Sequence, residues 1–152
     1  RCLKEDVDRV LDINAKGTIM CTREVTKIMA EKGSGSVVNV DSVAGEFGCG
    51  GAAYVASKGA VISLTKHTAL RFAGKGIRCN SVCPSTIVTP MTMTTDPRTL
   101  DMEMMGQMAK HADLKVQPCM PMDVAKVLLF LASDDSRPIT GQIIVCDYGS
   151  TL

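Results

Sequence analysis

Apolar residues spaced three and four positions apart open the chain and predict an amphipathic helix over residues 3–32. The positions that form this pattern are Val7, Val10, Leu11, Thr18, Cys21, Val25, Ile28 and Met29. The Gly-Ser-Gly segment at 33–35 ends the predicted helix. Asn14 has a poor helix propensity and Gly17 follows it closely, so we expect a kink or a functional contact at this point.

Three short segments, mostly apolar and β-branched, predict strands that are covered on both faces, as in a parallel sheet. These segments are residues 36–41, 77–83 and 141–147. Helical patterns lie between them at residues 52–73, 100–114 and 124–133, and Pro121 starts the last of these. Because crossovers between parallel strands are right-handed, this order predicts one α/β domain over residues 1–152, with three parallel strands and helices on both faces.

A parallel sheet of three strands is thin, and such sheets normally continue on at least one side. The chain also begins at Arg1 rather than at Met, inside a helical pattern. We therefore expect this sequence to be a portion of a longer polypeptide that carries further strands.

Two segments after the second strand invite a functional interpretation. Residues 85–97 read as a long loop, and loops of this length in compact domains are usually functional. The next stretch carries Met102, Met104, Met105 and Met108. Flexible thioethers suit an adaptable apolar lid over a substrate or the filling of a core, and core filling is the default expectation.

The balance of charge and hydropathy excludes two classes of partner. Lys and Arg number 17 against 16 Asp and Glu, for a net charge of +1. Phosphate recognition starts from a basic excess, so we expect no nucleic acid partner. The longest strongly apolar run, residues 127–132, is far shorter than the roughly 20 residues of a membrane span, and no leader pattern opens the chain.

The cysteines and histidines favour a reduced compartment without a metal site. Seven cysteines are scattered with no Cys-x-x-Cys pair, which predicts a cytoplasmic protein. Cys79 and Cys83, about 13 Å apart in one predicted strand, are expected to be small buried hydrophobic residues. His67 and His111 stand alone, so they predict neither a metal site nor activation of a serine for hydrolysis.

Tyr54 and Lys58 form the most informative spacing, because residues i and i+4 share one face of a helix. An ammonium about 4 Å from a phenol favours the phenolate by about 4 kcal/mol at an effective dielectric of about 20. A group that ionises near ambient pH transfers protons well, so the pair is a candidate general acid and base. The alternative is an exposed tyrosine above an exposed lysine, since this spacing also arises by chance.

Ser42 follows the first predicted strand, at the edge where open α/β sheets bind ligands. Its hydroxyl there suits a substrate carbonyl oxygen, and it equally suits an ordinary turn. The glycine-rich loop at 45–51 comes next, but its spacing differs from that of a dinucleotide phosphate cradle, and no acidic residue occurs between Glu46 and Asp96. We expect its glycines to allow a substrate or a neighbouring backbone to approach closely.

Four segments resemble motifs of the short-chain dehydrogenase/reductase family, and together they span nearly the whole chain. Residues 14–17 (Asn-Ala-Lys-Gly) are similar to the family's Asn-x-x-Gly helix motif, and residues 35–42 to the strand that ends in its catalytic serine. Residues 53–60 (Ala-Tyr-Val-Ala-Ser-Lys-Gly-Ala) resemble its tyrosine and lysine helix, and residues 76–84 the strand that follows. The resemblance implies a partial doubly wound, Rossmann-type parallel sheet of three strands with flanking helices.

The resemblance also implies an oxidoreductase that transfers a hydride between NAD or NADP and a secondary alcohol or ketone. Tyr54 would exchange the proton with the substrate, which Ser42 would orient. Lys58 would assist Tyr54 and bind the nicotinamide ribose, and Asn14 would hold a water that links Lys58 to solvent. The implied cofactor-binding residues are Val40, Tyr54, Lys58, Pro84, Ser85, Ile87 and Thr89. Subunit pairing through the two long helices is implied as well, giving a homo-oligomer, either a dimer or a tetramer.

Several features depart from the family's pattern. Its opening strand, Thr-Gly-x-x-x-Gly-x-Gly phosphate loop, adenosine-selecting residue and Asn-Asn-Ala-Gly strand do not occur in these 152 residues. Ser85 stands where a glycine is usual, and Asp147-Tyr148-Gly149 replaces Asp-Gly-Gly. We therefore keep an alternative, a catalytically incompetent truncated domain that serves as an interaction or oligomerisation piece.

Overall fold

The computed structural model describes residues 2–94 and 96–152. Helix α1 (Lys4–Val10) continues through a π-helical segment (Leu11–Lys16) into α2 (Gly17–Lys32). The interruption expected at Asn14 is therefore present, because Asn14 lies within the π-helical segment. Gly33 ends α2 with φ of 69°, a left-handed conformation that favours glycine.

Three parallel strands form the sheet, as predicted: β1 (Gly35–Val40), β2 (Ile77–Pro84) and β3 (Ile143–Cys146). Val40 lies opposite Val82, and Pro84 lies opposite Cys146. The C-terminal ends of all three strands therefore meet along one side of the sheet. We call this side the carboxyl edge.

Helices connect the strands in the predicted order. Between β1 and β2 lie α3 (Val43–Phe47) and α4 (Ala52–Arg71). Between β2 and β3 lie α5 (Pro90–Met93), α6 (Met102–Met108) and α7 (Pro121–Ala132), together with 3-10 turns at Pro97–Thr99 and Asp134–Ser136. The prediction of a loop over 45–51 was wrong in its first part, because Ser42 caps α3 there. The helix predicted at 100–114 is shorter than expected. The prediction of a loop over 85–97 was wrong in part, because α5 lies within it, and its residue 95 lies outside the described residues.

Side chains alternate between the two faces of the sheet, and each face carries its own helices. On one face Val37 and Cys79 pack with Ala69 of α4 and with Met29 of α2. On the other face the buried residues are Val82, Cys119, Val124 and Leu131, the last two from α7. The prediction that helices cover both faces is confirmed, as is the burial of the free cysteines Cys79 and Cys83.

Helix α2 turns a different face inward from the one that its apolar residues predict. Thr22 and Thr26 are buried, whereas Cys21, Val25 and Ile28 are exposed, Ile28 to 55 %. These three exposed residues, spaced four and three apart, are called the α2 stripe below. The amphipathic pattern predicted for this helix is therefore confirmed in part, because Met29 packs against the core and the α2 stripe does not.

The methionines of α6 do not fill the core. None of the residues of α6 is buried, and Met102 is 72 % exposed, so the core-filling interpretation was wrong. No helix within residues 2–94 and 96–152 is long and apolar enough to cross a membrane. Within those same residues, no group of three or more His, Cys, Asp or Glu is arranged to hold a metal ion.

Candidate active site

Tyr54 and Lys58 occupy the first two turns of α4, which begins directly after Gly51. Tyr54 is 40 % exposed, so part of this residue is accessible to solvent. The Lys58 ammonium lies 5.7 Å from the centroid of the Tyr54 ring. The predicted placement of the two side chains on one helix face is therefore confirmed.

The end of β1 holds the Lys58 ammonium in place. Its Nζ donates a hydrogen bond of 2.9 Å to the carbonyl of Val40, the last residue of β1. Burial lowers the pKa of Lys58, and the nearby Asp41 carboxylate opposes this change. The hydrogen bond uses one of the three ammonium protons, which leaves Lys58 able to donate to a ligand.

Gly45 explains how the chain after β1 fits against α4. A Cβ at this position would lie 2.7 Å from the carbonyl carbon of Lys58 and 2.9 Å from the nitrogen of Gly59. Only glycine allows so close an approach of α3 to the turn that carries Lys58. The expectation that a glycine of this loop admits a neighbouring backbone is confirmed.

Ser42 lies at the carboxyl edge as the N-cap of α3. Its Oγ accepts a hydrogen bond of 3.1 Å from the Ala44 N–H. The turn role is thus present, and the hydroxyl proton is still free of this bond because the Oγ acts in it as an acceptor. A ligand oxygen at this edge could accept that proton.

Asn14 contacts the turn of α4 that carries the tyrosine and the lysine. Its side-chain N–H₂ donates to the Ser57 Oγ at 3.1 Å, and the Ser57 hydroxyl donates to the Tyr54 carbonyl at 2.8 Å. Ser57 is fully buried, and sequence reasoning missed it. Its position directly before Lys58 was the one available signal. π-Helical turns like the one around Asn14 are frequent at functional sites.

The predicted residues after β2 form a separate group at the same edge. Pro84 is buried, and the Ser85 N–H donates to the Cys146 carbonyl at 3.0 Å. Ile87 pairs with Cys119, and Thr89 caps α5 through Thr92. The hydrogen bonds described for this group do not connect it to Tyr54 or Lys58.

Asp41 is a further buried polar residue of the edge that sequence reasoning missed. It is 3 % exposed, and its Oδ1 accepts a hydrogen bond of 2.9 Å from the Ser42 N–H. Burial raises its pKa to about 6, although the Ser42 N–H and the Lys58 charge work in the opposite direction. The available signal was an acidic residue directly after an otherwise apolar strand.

Comparisons with known proteins give matches over nearly the whole chain. A protein family described as enoyl-(acyl carrier protein) reductase matches residues 1–151. A 3-oxoacyl-[acyl-carrier-protein] reductase of Thermotoga maritima is 41 % identical, over 100 % of this chain and 60 % of its own length. A 3beta-hydroxysteroid dehydrogenase of Mediterraneibacter gnavus is 39 % identical, over 97 % of this chain and 59 % of its own length. The chain thus spans about three fifths of the length of these curated relatives.

Solved structures superpose on nearly all of the chain. A 3-oxoacyl-[acyl-carrier protein] reductase from Brucella melitensis with bound NAD is 32 % identical, with a TM-score of 0.80, over 99 % of this chain and 53 % of that one. A 4-hydroxyisoleucine dehydrogenase complexed with NADH is 33 % identical, with a TM-score of 0.80, over 99 % of this chain and 62 % of that one. These matches show that the chain belongs to the short-chain dehydrogenase/reductase family.

Proposed function

We propose that this chain is the catalytic part of an NAD(P)-dependent oxidoreductase that interconverts a secondary alcohol and the corresponding ketone. The observation that carries the proposal is the Lys58 ammonium, anchored on the Val40 carbonyl and 5.7 Å from the ring of Tyr54. The relatives named above are reductases and dehydrogenases, which supports the same class of reaction.

The proton moves through Tyr54. In ketone reduction the Tyr54 hydroxyl gives its proton to the substrate oxygen, and in alcohol oxidation the phenolate takes it back. The positive charge of Lys58 stabilises the phenolate between these steps. Ser42 donates its hydroxyl proton to the same substrate oxygen and so holds it against Tyr54.

Asn14 has a supporting place in this proposal. Its contact with Ser57 holds the π-helical segment against the turn of α4 that carries Tyr54 and Lys58. A water held by Asn14 would then lead protons between Lys58 and solvent.

The donor set of the carboxyl edge fits the nicotinamide end of the cofactor, which supplies or accepts the hydride when bound. Lys58 retains ammonium protons for the ribose hydroxyls next to Val40 and Tyr54. The Thr86 carbonyl and the Val88 N–H both bond to Cys119. The N–H of Ile87 therefore points to the other side, where it can meet a carboxamide oxygen.

Pro84, Ser85 and Thr89 flank that position in the proposed cofactor site. Ser85 and Thr89 have hydroxyl groups that can reach the carboxamide or a phosphate. Gly45 lies in α3 and packs on Lys58, and the glycine spacing of residues 45–51 differs from that of a dinucleotide phosphate cradle. We therefore assign the binding of the pyrophosphate to residues outside the 152 described by the sequence.

A second role, in subunit association, is supported by the exposed α2 stripe. An apolar helix face of this kind is typical of a surface that another polypeptide covers. We propose a homo-oligomer, a dimer or a tetramer, on this ground. The seven free cysteines support a reducing, cytoplasmic location.

The decisive experiment uses the longest polypeptide that contains these 152 residues, with NADH and NADPH each offered against a panel of ketones. Tyr54→Phe should lower kcat by at least about 100-fold, because it removes the transferred proton, and should leave the dissociation constant of the cofactor within about twofold. Absorbance of the reduced nicotinamide follows turnover, and fluorescence follows cofactor binding.

Two outcomes would contradict the proposal. Equal loss of turnover and of cofactor binding in Tyr54→Phe would assign Tyr54 a structural role. Absence of turnover with every ketone, in a protein that still forms oligomers, would favour the association role alone.

A further inference from the structure

The buried carboxyl group of Asp41 has no part in the function proposed so far. Its Oδ1 accepts the Ser42 N–H, and its Oδ2 is buried, with the Cys83 thiol as the nearby side-chain donor. A thiol is a weak donor, so the burial of this carboxylate still costs free energy. Asp41 lies between Val40, which holds Lys58, and Ser42.

The titratable groups that face Asp41 come from three elements. Lys58 reaches it from α4, Cys83 lies beside it on β2, and Glu46 faces it from α3. Burial raises the pKa of Cys83 to about 12, so its thiol stays neutral at ordinary pH. Glu46 is exposed and screened by solvent. Lys58 is thus the cation that interacts with the Asp41 carboxylate.

The interaction works in both directions. The Asp41 carboxylate favours the protonated form of Lys58, against the effect of burial. In the proposed function, the same negative charge would offset part of the field that the ammonium exerts on the Tyr54 hydroxyl. Removing an anion lowers the proton affinity of every group near it.

We propose that Asp41 is a positioning residue of the proton-transfer site, whose carboxylate keeps Lys58 charged and attenuates the action of Lys58 on Tyr54. The inference rests on the proposed function, since it concerns the same proton transfer. Because burial raises the pKa of Asp41 to about 6, the carboxylate is present above that pH and is neutralised below it. The Asp41 carboxylate therefore attenuates the effect of Lys58 on Tyr54 above about pH 6, and it no longer does so below that pH.

The test measures kcat/KM for alcohol oxidation against pH in the wild type and in Asp41→Asn, an isosteric variant without the charge. Above pH 6 the variant should reach half of its maximal rate at a pH lower by about half a unit to one unit, because its Lys58 acts on Tyr54 without an opposing anion. The decline at high pH should move down as well, because Lys58 loses its proton sooner. Below about pH 6 the two profiles should converge.

Glu46→Gln is the matched control, because it removes an equal charge that faces the same group from an exposed position. Its profile should shift by less than a third of the shift of Asp41→Asn, since solvent screens the exposed charge. Profiles of Asp41→Asn that superimpose on the wild type, or that are merely scaled by one factor at all pH values, would overturn the inference. A uniform factor is what a structural role alone produces.

A second measurement tests the inference even if Asp41→Asn does not fold. Carboxyl ¹³C NMR of the wild type should show Asp41 titrating near pH 6, and Lys58→Met should raise that midpoint by at least about half a unit. A midpoint typical of exposed aspartates, or one that Lys58→Met leaves unchanged, overturns the inference. A wild type without turnover overturns the proposed function and this role of Asp41 with it, whereas an active enzyme with unshifted profiles overturns only the role of Asp41.

Discussion

The Ser42 hydroxyl combines a structural bond with a proposed chemical role. Its Oγ accepts the Ala44 N–H at the start of α3, a helix of five residues. An N-cap of this kind contributes about 0.5–2 kcal/mol to stability. The proposed function needs only the hydroxyl proton, so substitutions can separate the two roles.

We expect Ser42→Asn to preserve the N-cap hydrogen bond of α3 and to lower the rate of the reaction. The Asn side-chain oxygen accepts the same N–H, so the free energy of unfolding should change by less than about 1 kcal/mol. The amide donates less well than a hydroxyl placed on the substrate oxygen, so kcat should fall by about 100-fold. Denaturant unfolding and steady-state kinetics provide the two readouts.

Ser42→Thr is the control for this prediction, since it keeps both the cap and a hydroxyl. It should retain at least about a tenth of the wild-type turnover. If Ser42→Asn proves as active as the wild type, the hydroxyl has no part in the reaction.

Local spacing predicted some residues of the site and missed others. Tyr54 and Lys58 were predictable because four positions on one helix fix their common face. Asp41 and Ser57 were not, because their burial comes from α4, β2 and the π-helical segment, which are remote in sequence. The roles of Asn14, Ser42 and the residues after β2 stay predictions.

At the opposite end of β2, Arg78 fastens helix α7 to the sheet. Its guanidinium donates to the carbonyl oxygens of Leu131 and Ser133 at 3.0 and 2.9 Å, and to the Ser136 hydroxyl at 2.9 Å. The last carbonyl groups of a helix have no partner within the helix, so a cation there satisfies them and interacts well with the helix dipole. The sequence pattern alone gave Arg78 no such role.

Arg78→Met should therefore destabilise the protein by about 2–3 kcal/mol, because it removes the charge-assisted hydrogen bonds to these partly buried carbonyl groups, which then keep only the hydroxyl donors of Ser36 and Ser136. The stability of Arg78→Lys should lie between that of the wild type and that of Arg78→Met, since an ammonium cannot reach all three acceptors at once. The midpoint of urea unfolding measures the effect.

Lys66→Met serves as the comparison, because Lys66 is an exposed cation on α4. It should change stability by less than about 0.5 kcal/mol. Equal effects of the two methionine substitutions would show that Arg78 acts as a surface charge and not as a helix anchor.

At the scale of the whole molecule, the α2 stripe is an apolar surface that stays exposed to solvent. Cys21, Val25 and Ile28 lie about 100° around the helix from buried Thr22 and Thr26. The sheet side of α2 is thus occupied, and the more apolar side faces outward. This arrangement favours cover by another polypeptide, in line with the proposed homo-oligomer.

Ile28→Glu should weaken that association without unfolding the chain, because a charge on a covered apolar surface is costly while the residue is 55 % exposed here. The variant is made in the longest polypeptide that contains these 152 residues. Light scattering at micromolar concentration should give it a mass that is lower than that of the wild type by half or more. The circular dichroism spectrum should stay the same.

Leu114→Glu is the matched control, an apolar residue outside the helices that is 64 % exposed. It should leave the mass unchanged. An unchanged mass in Ile28→Glu as well would place the subunit contact, if one forms, on another surface.

The sequence by itself determined the order of the strands and of the longer helices, the parallel sheet and the pairing of Tyr54 with Lys58. These features follow from periodicity and from chain connectivity, which act over short distances in sequence. Only the tertiary structure decided that Thr22 and Thr26 of α2 face inward, that none of the methionines of α6 is buried in the core, and that Asp41 is buried beside Lys58. Each of these depends on which remote segments come together, and a one-dimensional pattern does not record that.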